Sequence, residues 1–198
     1  LTWGFQMFLA GMPMMFVIGA TALAPMGFAF AYIYLPHVHL RVNKFLDGGS
    51  WQVERAMESF AQGGYFGVGP GDGTIKLNLP DAHSDFIFAV AAEEYGALIC
   101  LVLLCLYAFI ILRGFARALS GEGLFCLIAA ASLVMQFGAQ ASIHMASSVN
   151  LIPTKGMTLP FISYGGSSLF ASGLTMGLIL ALTRKRTGYN HSANRGRL

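Results

Sequence analysis

Charged side chains are scarce in this sequence. Only 11% of its 198 residues are Asp, Glu, Lys or Arg, whereas 56% are hydrophobic and the mean hydropathy is +0.63. Residues 1–40, 123–151 and 157–183 contain none of the four charged types. Each run is long enough to cross about 30 Å of hydrocarbon as a helix. The composition therefore excludes an ordinary soluble domain and indicates an all-α, polytopic transmembrane helical protein.

Patterns typical of disulfides, metal sites and nucleic-acid binding are also lacking. Cys100, Cys105 and Cys126 lie in apolar stretches without CxxC spacing, so we interpret them as small core residues. The five histidines are too dispersed to indicate a metal site, and a net charge of +3 is too modest for a nucleic-acid surface. No cofactor follows from these patterns, and whether a divalent cation assists is left open.

The hydrophobic pattern predicts a single membrane domain over residues 1–198, with about four complete spans and part of another. The spans are placed at about 15–36, 86–112, 123–149 and 163–183, with a long outer loop at 37–84, a short amphipathic helix at 51–62 within it, and a basic cytoplasmic tail at 184–198. Arg113 and Arg117 predict a short basic loop on the same side as that tail. The chain starts in mid-hydrophobic stretch without methionine, which we interpret as a fragment.

Asp85 ends a segment rich in turn residues, and an apolar stretch begins at the next residue, Phe86. Partial desolvation at this boundary is expected to raise the pKa of the Asp85 carboxyl, which makes it a better proton acceptor at neutral pH. The alternative is that Ser84 or Asp85 only caps a helix N-terminus. The sequence leaves both roles open. His83 lies two residues away at the same boundary.

Three more charged residues are candidates. Glu93 and Glu94 are predicted inside the span that follows Asp85, about 12 Å deeper, as a functional polar interior or as a network that only holds helices together. Lys155 lies in a loop rich in proline and glycine at the membrane surface. It either holds a phosphate, snorkels to headgroups or pairs with Glu94. The glycine run at 63–73 lacks a phosphate-loop ending and predicts turns instead.

Two motifs carry a family resemblance. Residues 79–89 read LPDAHSDFIFA and are followed by Glu93 and Glu94, and the sequence PTKG at 153–156 is followed by LPFISYGGSS at 159–168. Together they resemble the SEDS family (shape, elongation, division and sporulation), which includes FtsW, RodA and SpoVE. The PTKG wording is closest to the FtsW division branch. Full-length members have about ten membrane helices, so the resemblance implies that this chain supplies the C-terminal half.

The resemblance implies a peptidoglycan glycosyltransferase that polymerises lipid II during septal cell-wall synthesis in the bacterial inner membrane. It implies that Asp85 is the base for the acceptor hydroxyl, in an inverting reaction that displaces undecaprenyl pyrophosphate and forms a β-1,4 link. The expected substrate contacts are His83, Ser84, Glu93, Glu94, Lys155 and Ser163, with Lys155 facing the pyrophosphate. The implied partners are lipid II, membrane lipids, a class B penicillin-binding transpeptidase and other division proteins, with no nucleic acid.

Two alternatives stay open. Glu93 and Glu94 inside a span, together with proline-containing helices, are also typical of a flippase or transporter for the same precursor. A division scaffold without catalysis is the third hypothesis, because small residues favour close helix packing. The glycines that suggest it are Gly165, Gly166, Gly173 and Gly177.

Overall fold

The structure is a computed structural model that describes residues 2–47, 51–120, 123–153 and 155–184. Its regular elements in these ranges are all helical, which confirms the predicted all-α class. The α-helices are α1 (Thr2–Leu9), α2 (Met14–Tyr34), α3 (Pro36–Leu46), α4 (Trp51–Gly63), α5 (Ile87–Leu119), α6 (Leu124–Ser148) and α7 (Gly166–Leu182), and a 3₁₀ helix covers Ile75–Asn78. Of the predicted basic tail, residues 185–198 lie outside the described residues.

Three of these helices, α2, α5 and α6, are long and apolar enough to cross a membrane. The fourth predicted span corresponds to α7, which is equally apolar but has only 17 residues. At about 1.5 Å per residue, α7 extends over about 25 Å. Large apolar side chains along α2, such as Met15, Ile33 and Phe30, are exposed in this chain, and hydrocarbon is the solvent that suits such a surface.

The predicted outer loop at 37–84 is more helical than the sequence suggested. The amphipathic helix expected at 51–62 is present as α4. A second helix, α3, was not predicted, although Pro36 at its first turn is a start signal because proline has no amide proton to leave unpaired there. The buried side of α4 packs against α5 through Ala56, which joins Leu79 and Phe86 in one core cluster.

The second predicted span begins where the sequence predicted but differs from the structure in its continuity and at its C-terminal end. Helix α5 continues to Leu119, so Arg113 and Arg117 lie on the helix and not in a loop. Near its start, α5 is interrupted at Gly96, which has φ 79° and ψ 179°. The interruption divides α5 into a short segment at 87–95 and a long apolar helix at 97–119. Glu93 and Glu94 belong to the short segment, and not to the interior of an unbroken span.

The glycine run at 63–73 fills the interruption in α5. The amides of Val68 and Gly69 donate to the carbonyls of Glu93 and Glu94, and the Ala97 amide donates to the Gly64 carbonyl. These bonds pair backbone groups that a broken helix leaves unsatisfied. The approach is so close that a Cβ on Gly67 would lie 2.2 Å from the Glu94 carbonyl oxygen. The run is therefore rich in glycine because two backbones meet there.

Helix α6 holds the bundle together by packing on α5, α7 and α1. Two close approaches between α5 and α6 use Gly138, which faces Ile111, and Gly114, which faces Val134. Small residues at such contacts let membrane helices approach closely. The glycines behind the scaffold hypothesis differ, since Gly166, Gly173 and Gly177 have nothing from the described residues within 4 Å of an added Cβ. Of the three free cysteines only Cys100 is buried, and Cys105 is exposed.

Candidate functional site

A tight turn before α5 positions Asp85. Asp81 adopts a positive φ of 54°, and its carbonyl oxygen accepts hydrogen bonds from the amides of Ser84 (3.0 Å) and Asp85 (2.9 Å) and from the Ser84 hydroxyl (3.2 Å). The N-cap of α5 is Phe86, and no side chain caps it. The capping alternative is therefore not what the structure shows. The Asp85 carboxylate accepts no hydrogen bond from the part of the chain that is described.

The two sequence motifs meet at this turn. The Ser163 hydroxyl donates to the Ser84 carbonyl (2.6 Å) and accepts from the Leu159 amide (2.7 Å), and the Tyr164 amide donates to the His83 carbonyl (2.9 Å). The His83 and Tyr164 rings also contact each other edge to face, with centroids 5.4 Å apart. Hydrogen bonds thus join residues about eighty positions apart, which fixes the 155–164 loop against the Asp85 turn.

Gly156 brings the PTKG segment directly against Asp85. A Cβ built on Gly156 would lie 3.0 Å from the Asp85 Oδ2 atom, and the φ of Gly156 is +57°. The side chain of Asp85 is half-buried. Burial, and after it the charge of Asp81, raises the pKa of the Asp85 carboxyl, whereas the charges of His144 and His83 lower it. The net upward shift makes Asp85 a stronger base than an exposed aspartate.

Glu93 and Glu94 are bound to the loop rather than directed to the Asp85 turn. Glu93 is 0% exposed, and its two carboxylate oxygens accept hydrogen bonds from the amides of Ile75 (2.8 Å) and Lys76 (3.1 Å). Glu94 forms an ion pair with Lys76. These contacts favour the structural alternative that the sequence left open for both residues. They also show that the partner of Glu94 is Lys76 and not Lys155.

Of the other predicted site residues, His83 and Lys155 are exposed, Ser84 is partly buried and Ser163 is buried. Ser163 and Ser84 join the turn to the loop, as described above. Lys155 precedes Gly156 in the chain and makes no ion pair with a described residue; Thr154 lies outside the described residues. The structure therefore brings together Asp85, His83, Ser84 and Ser163, with Lys155 beside them. Glu93 and Glu94 instead bind the backbone and a side chain of the outer loop.

His144 is a part of this region that the sequence did not reveal. It lies on α6, is 0% exposed, and its Nδ1 atom is 2.5 Å from the Met157 carbonyl oxygen. Nearby, the Gln140 amide group donates to the Thr158 carbonyl (3.1 Å), and the Tyr107 hydroxyl donates to the Pro160 carbonyl. The sequence signal that points to His144 is its spacing from Gln140: polar residues four positions apart on an otherwise apolar helix share a face.

No metal-binding cluster is found at Asp85 in the described ranges, and one cavity lies in another part of the bundle. No three His, Cys, Asp or Glu side chains among the described residues are grouped to hold an ion. A cavity of about 150 Å³ lies elsewhere, between α5, α6 and α7, with Arg113, Val134 and Met176 in its lining.

The fold and the site define a multi-pass membrane protein with a partly buried carboxylate where a loop enters a helix. The chain matches the FtsW/RodA/SpoVE family model, described as "Cell cycle protein", over residues 2–188. It belongs to this family. A relative from Caulobacter vibrioides, "Probable peptidoglycan glycosyltransferase FtsW", is 47% identical over 95% of this chain and 49% of its own length. A Legionella pneumophila relative of the same name is 35% identical over 89% of this chain and 48% of its own.

Solved structures show the same fold. One, described as "Structural coordination of polymerization and crosslinking by a peptidoglycan synthase complex", matches with a TM-score of 0.76 and 29% identity over 93% of this chain and 53% of that one. An Asp-to-Ala mutant of the rod shape determining protein RodA from Thermus thermophilus matches with a TM-score of 0.55 and 26% identity, over 93% of this chain and 63% of that one. This chain spans about half the length of the curated relatives it matches.

Proposed function

We propose that the protein containing this chain is a peptidoglycan glycosyltransferase that polymerises lipid II, with Asp85 as its general base. The names of the relatives support the reaction class. The observation that carries the assignment to Asp85 is geometric: its carboxylate is half-buried, accepts no hydrogen bond from the described residues, and lies against Gly156 of the second motif. A base needs such a free oxygen next to the place where substrate binds.

In the proposed reaction, Asp85 accepts the proton of the acceptor sugar's hydroxyl group. The freed oxygen attacks the anomeric carbon of the donor sugar, and the bond from that carbon to undecaprenyl pyrophosphate breaks, with inversion to a β-1,4 link. The pyrophosphate leaves with the bonding electron pair. Lys155 is the proposed partner of this anion, because it is an exposed cation next to Gly156 and a lysine ammonium holds phosphate as a point charge.

Location and partners follow from the same proposal. The protein acts in the bacterial inner membrane at the division septum, with the Asp85 turn on the outer side where lipid II is polymerised. A class B penicillin-binding transpeptidase is the proposed partner, since one structural relative comes from a complex that coordinates polymerization with crosslinking. The transport alternative loses the carboxylates that suggested it, because Glu93 and Glu94 are bonded to Ile75 and Lys76.

The test is polymerisation of labelled lipid II by Asp85→Asn in proteoliposomes, in the chain together with any upstream sequence that its gene encodes. Loss of a general base is expected to lower the rate by about 10²–10⁴-fold. Asp47→Asn is the matched control, because Asp47 is exposed at the end of α3 and away from the turn. Glycan polymer formed by Asp85→Asn at the rate of the control would refute the assignment.

A further inference from the structure

His144 has a defined tautomer and an unpaired nitrogen. Its Nδ1 atom lies 2.5 Å from the Met157 carbonyl oxygen, which can only accept, so the Nδ1 atom carries the proton. The Nε2 atom is buried and has no hydrogen-bond partner among the described residues. Buried polar atoms without a partner are rare in folded proteins, and each one requires an explanation. In this ring the Nε2 atom is a buried lone pair that no donor from the described residues reaches.

The hydrogen bond from His144 acts on the backbone that contacts Asp85. Met157 follows Gly156, whose backbone lies against the Asp85 Oδ2 atom. The anchor itself is firm, because the hydroxyls of Ser147 and Ser148 both donate to the His144 carbonyl (2.9 Å each) at the end of α6. A shift of the His144 ring would therefore move the 156–157 segment relative to the carboxylate.

His144 and Asp85 also interact electrostatically. A positive charge on His144 lowers the pKa of the Asp85 carboxyl, in the same direction as His83 and against Asp81. Asp81 and His83 belong to the turn of Asp85 itself, and His144 is the group that reaches it from α6. Lys155, on the PTKG loop, is exposed to solvent.

We propose that His144 is a positioning residue for Asp85: its Nδ1–H group holds the 156–157 backbone against the carboxylate, and its Nε2 atom takes up a proton that presents a positive charge to it. The role as a helper of catalysis rests on the proposed function. The two parts of the role are separable, because one needs only a donor at the Nδ1 position and the other needs a titrating ring.

Two substitutions separate them. His144→Asn places an amide N–H group about where the Nδ1 atom lies but carries no charge, whereas His144→Ala removes the donor as well. We expect His144→Asn to keep its plateau kcat and to move the acidic limb of the polymerisation pH profile to higher pH. His144→Ala is expected to lose about 100-fold in plateau kcat, because a misplacement of about 1 Å near reacting groups has that effect. His37→Asn, on the exposed side of α3, is the control.

A second readout does not depend on turnover. Carbodiimides modify protonated carboxyl groups, so labelling of Asp85 against pH, read by mass spectrometry, follows its titration directly. The midpoint is expected to move to higher pH in His144→Asn and to stay in place in His37→Asn. An unmoved or lowered midpoint in His144→Asn would overturn the inference. If the midpoint shifts in His144→Asn but the wild-type protein makes no polymer, the proposed function is refuted and the coupling of the two residues is left intact.

Discussion

Replacement of Glu93 by Gln tests whether this carboxylate holds the outer loop. Glu93 is fully buried, and each of its two oxygens accepts a backbone hydrogen bond from the 3₁₀ helix at Ile75–Asn78. The glutamine keeps one acceptor and places an NH₂ group where the other oxygen was. One amide then loses its partner and faces another donor, while the remaining bond loses its charge.

The expected cost is about 3 kcal/mol, because a hydrogen bond to a charged group contributes about 1.5–3 kcal/mol and the orphaned amide adds its own desolvation penalty. The loss is local, since Glu93 holds residues 63–79 against α5 rather than the helices against one another. At about 1.4 kcal/mol per factor of ten, the amides of Ile75 and Lys76 should exchange with solvent about 100-fold faster.

Hydrogen exchange read by mass spectrometry, with the protein in nanodiscs, measures this change. Glu58→Gln is the matched control. Its ion pair with Arg55 is on the surface, with side chains 46% and 39% exposed, and such pairs contribute less than about 1 kcal/mol. If the amides of residues 75 and 76 are equally protected from hydrogen exchange in Glu93→Gln and in Glu58→Gln, Glu93 does not stabilise the loop and its assignment as a structural residue is wrong.

Two further substitutions examine the loop and the proposed anion site. Gly67→Ala would force a Cβ to within 2.2 Å of the Glu94 carbonyl oxygen, so the loop should detach from α5 and lose its protection from hydrogen exchange. The control is Gly71→Ala, where φ is also positive but the space is open, so this substitution should cost only about 1 kcal/mol. Equal protection in the two variants would contradict the close approach of the two backbones. Lys155→Gln should raise the KM for lipid II more than it lowers kcat. The control is Lys44→Gln on α3, which is exposed and should change neither constant. An unchanged KM in Lys155→Gln would refute the proposed contact between Lys155 and the pyrophosphate.

The helices were largely predictable, because a charge-free run of about twenty residues has few other stable conformations in hydrocarbon. The interruption of α5 at Gly96 was not. A single glycine in an apolar run does not reveal whether it breaks the helix, since that depends on another segment supplying hydrogen bonds to the freed backbone groups. Here the glycine run at 63–73 supplies them, and this pairing joins positions about thirty residues apart.

The site was predictable only in part. Asp85 was recognisable because a carboxylate at the boundary between a polar loop and an apolar helix is partly desolvated, and the turn around it uses the local Asp and Ser chemistry that the sequence shows. His144 was not predicted: periodicity could place it on a polar face of α6, but its contact with Met157 depends on the path of the 155–158 loop back over that helix. Glu93 was assigned to a membrane interior for a related reason: depth along an assumed continuous helix is misleading once the helix is broken.

The central claim is that Asp85 must lose its proton before it can act as the base. Its most direct test is the pH–rate profile of lipid II polymerisation in Asp81→Asn. The charge of Asp81 raises the pKa of Asp85, and asparagine tolerates the positive φ of 54° at position 81, so the substitution removes the charge without straining the turn. We expect the acidic limb to move to lower pH than in the wild type. A limb that stays in place, or moves to higher pH, would contradict the assignment of Asp85 as the base.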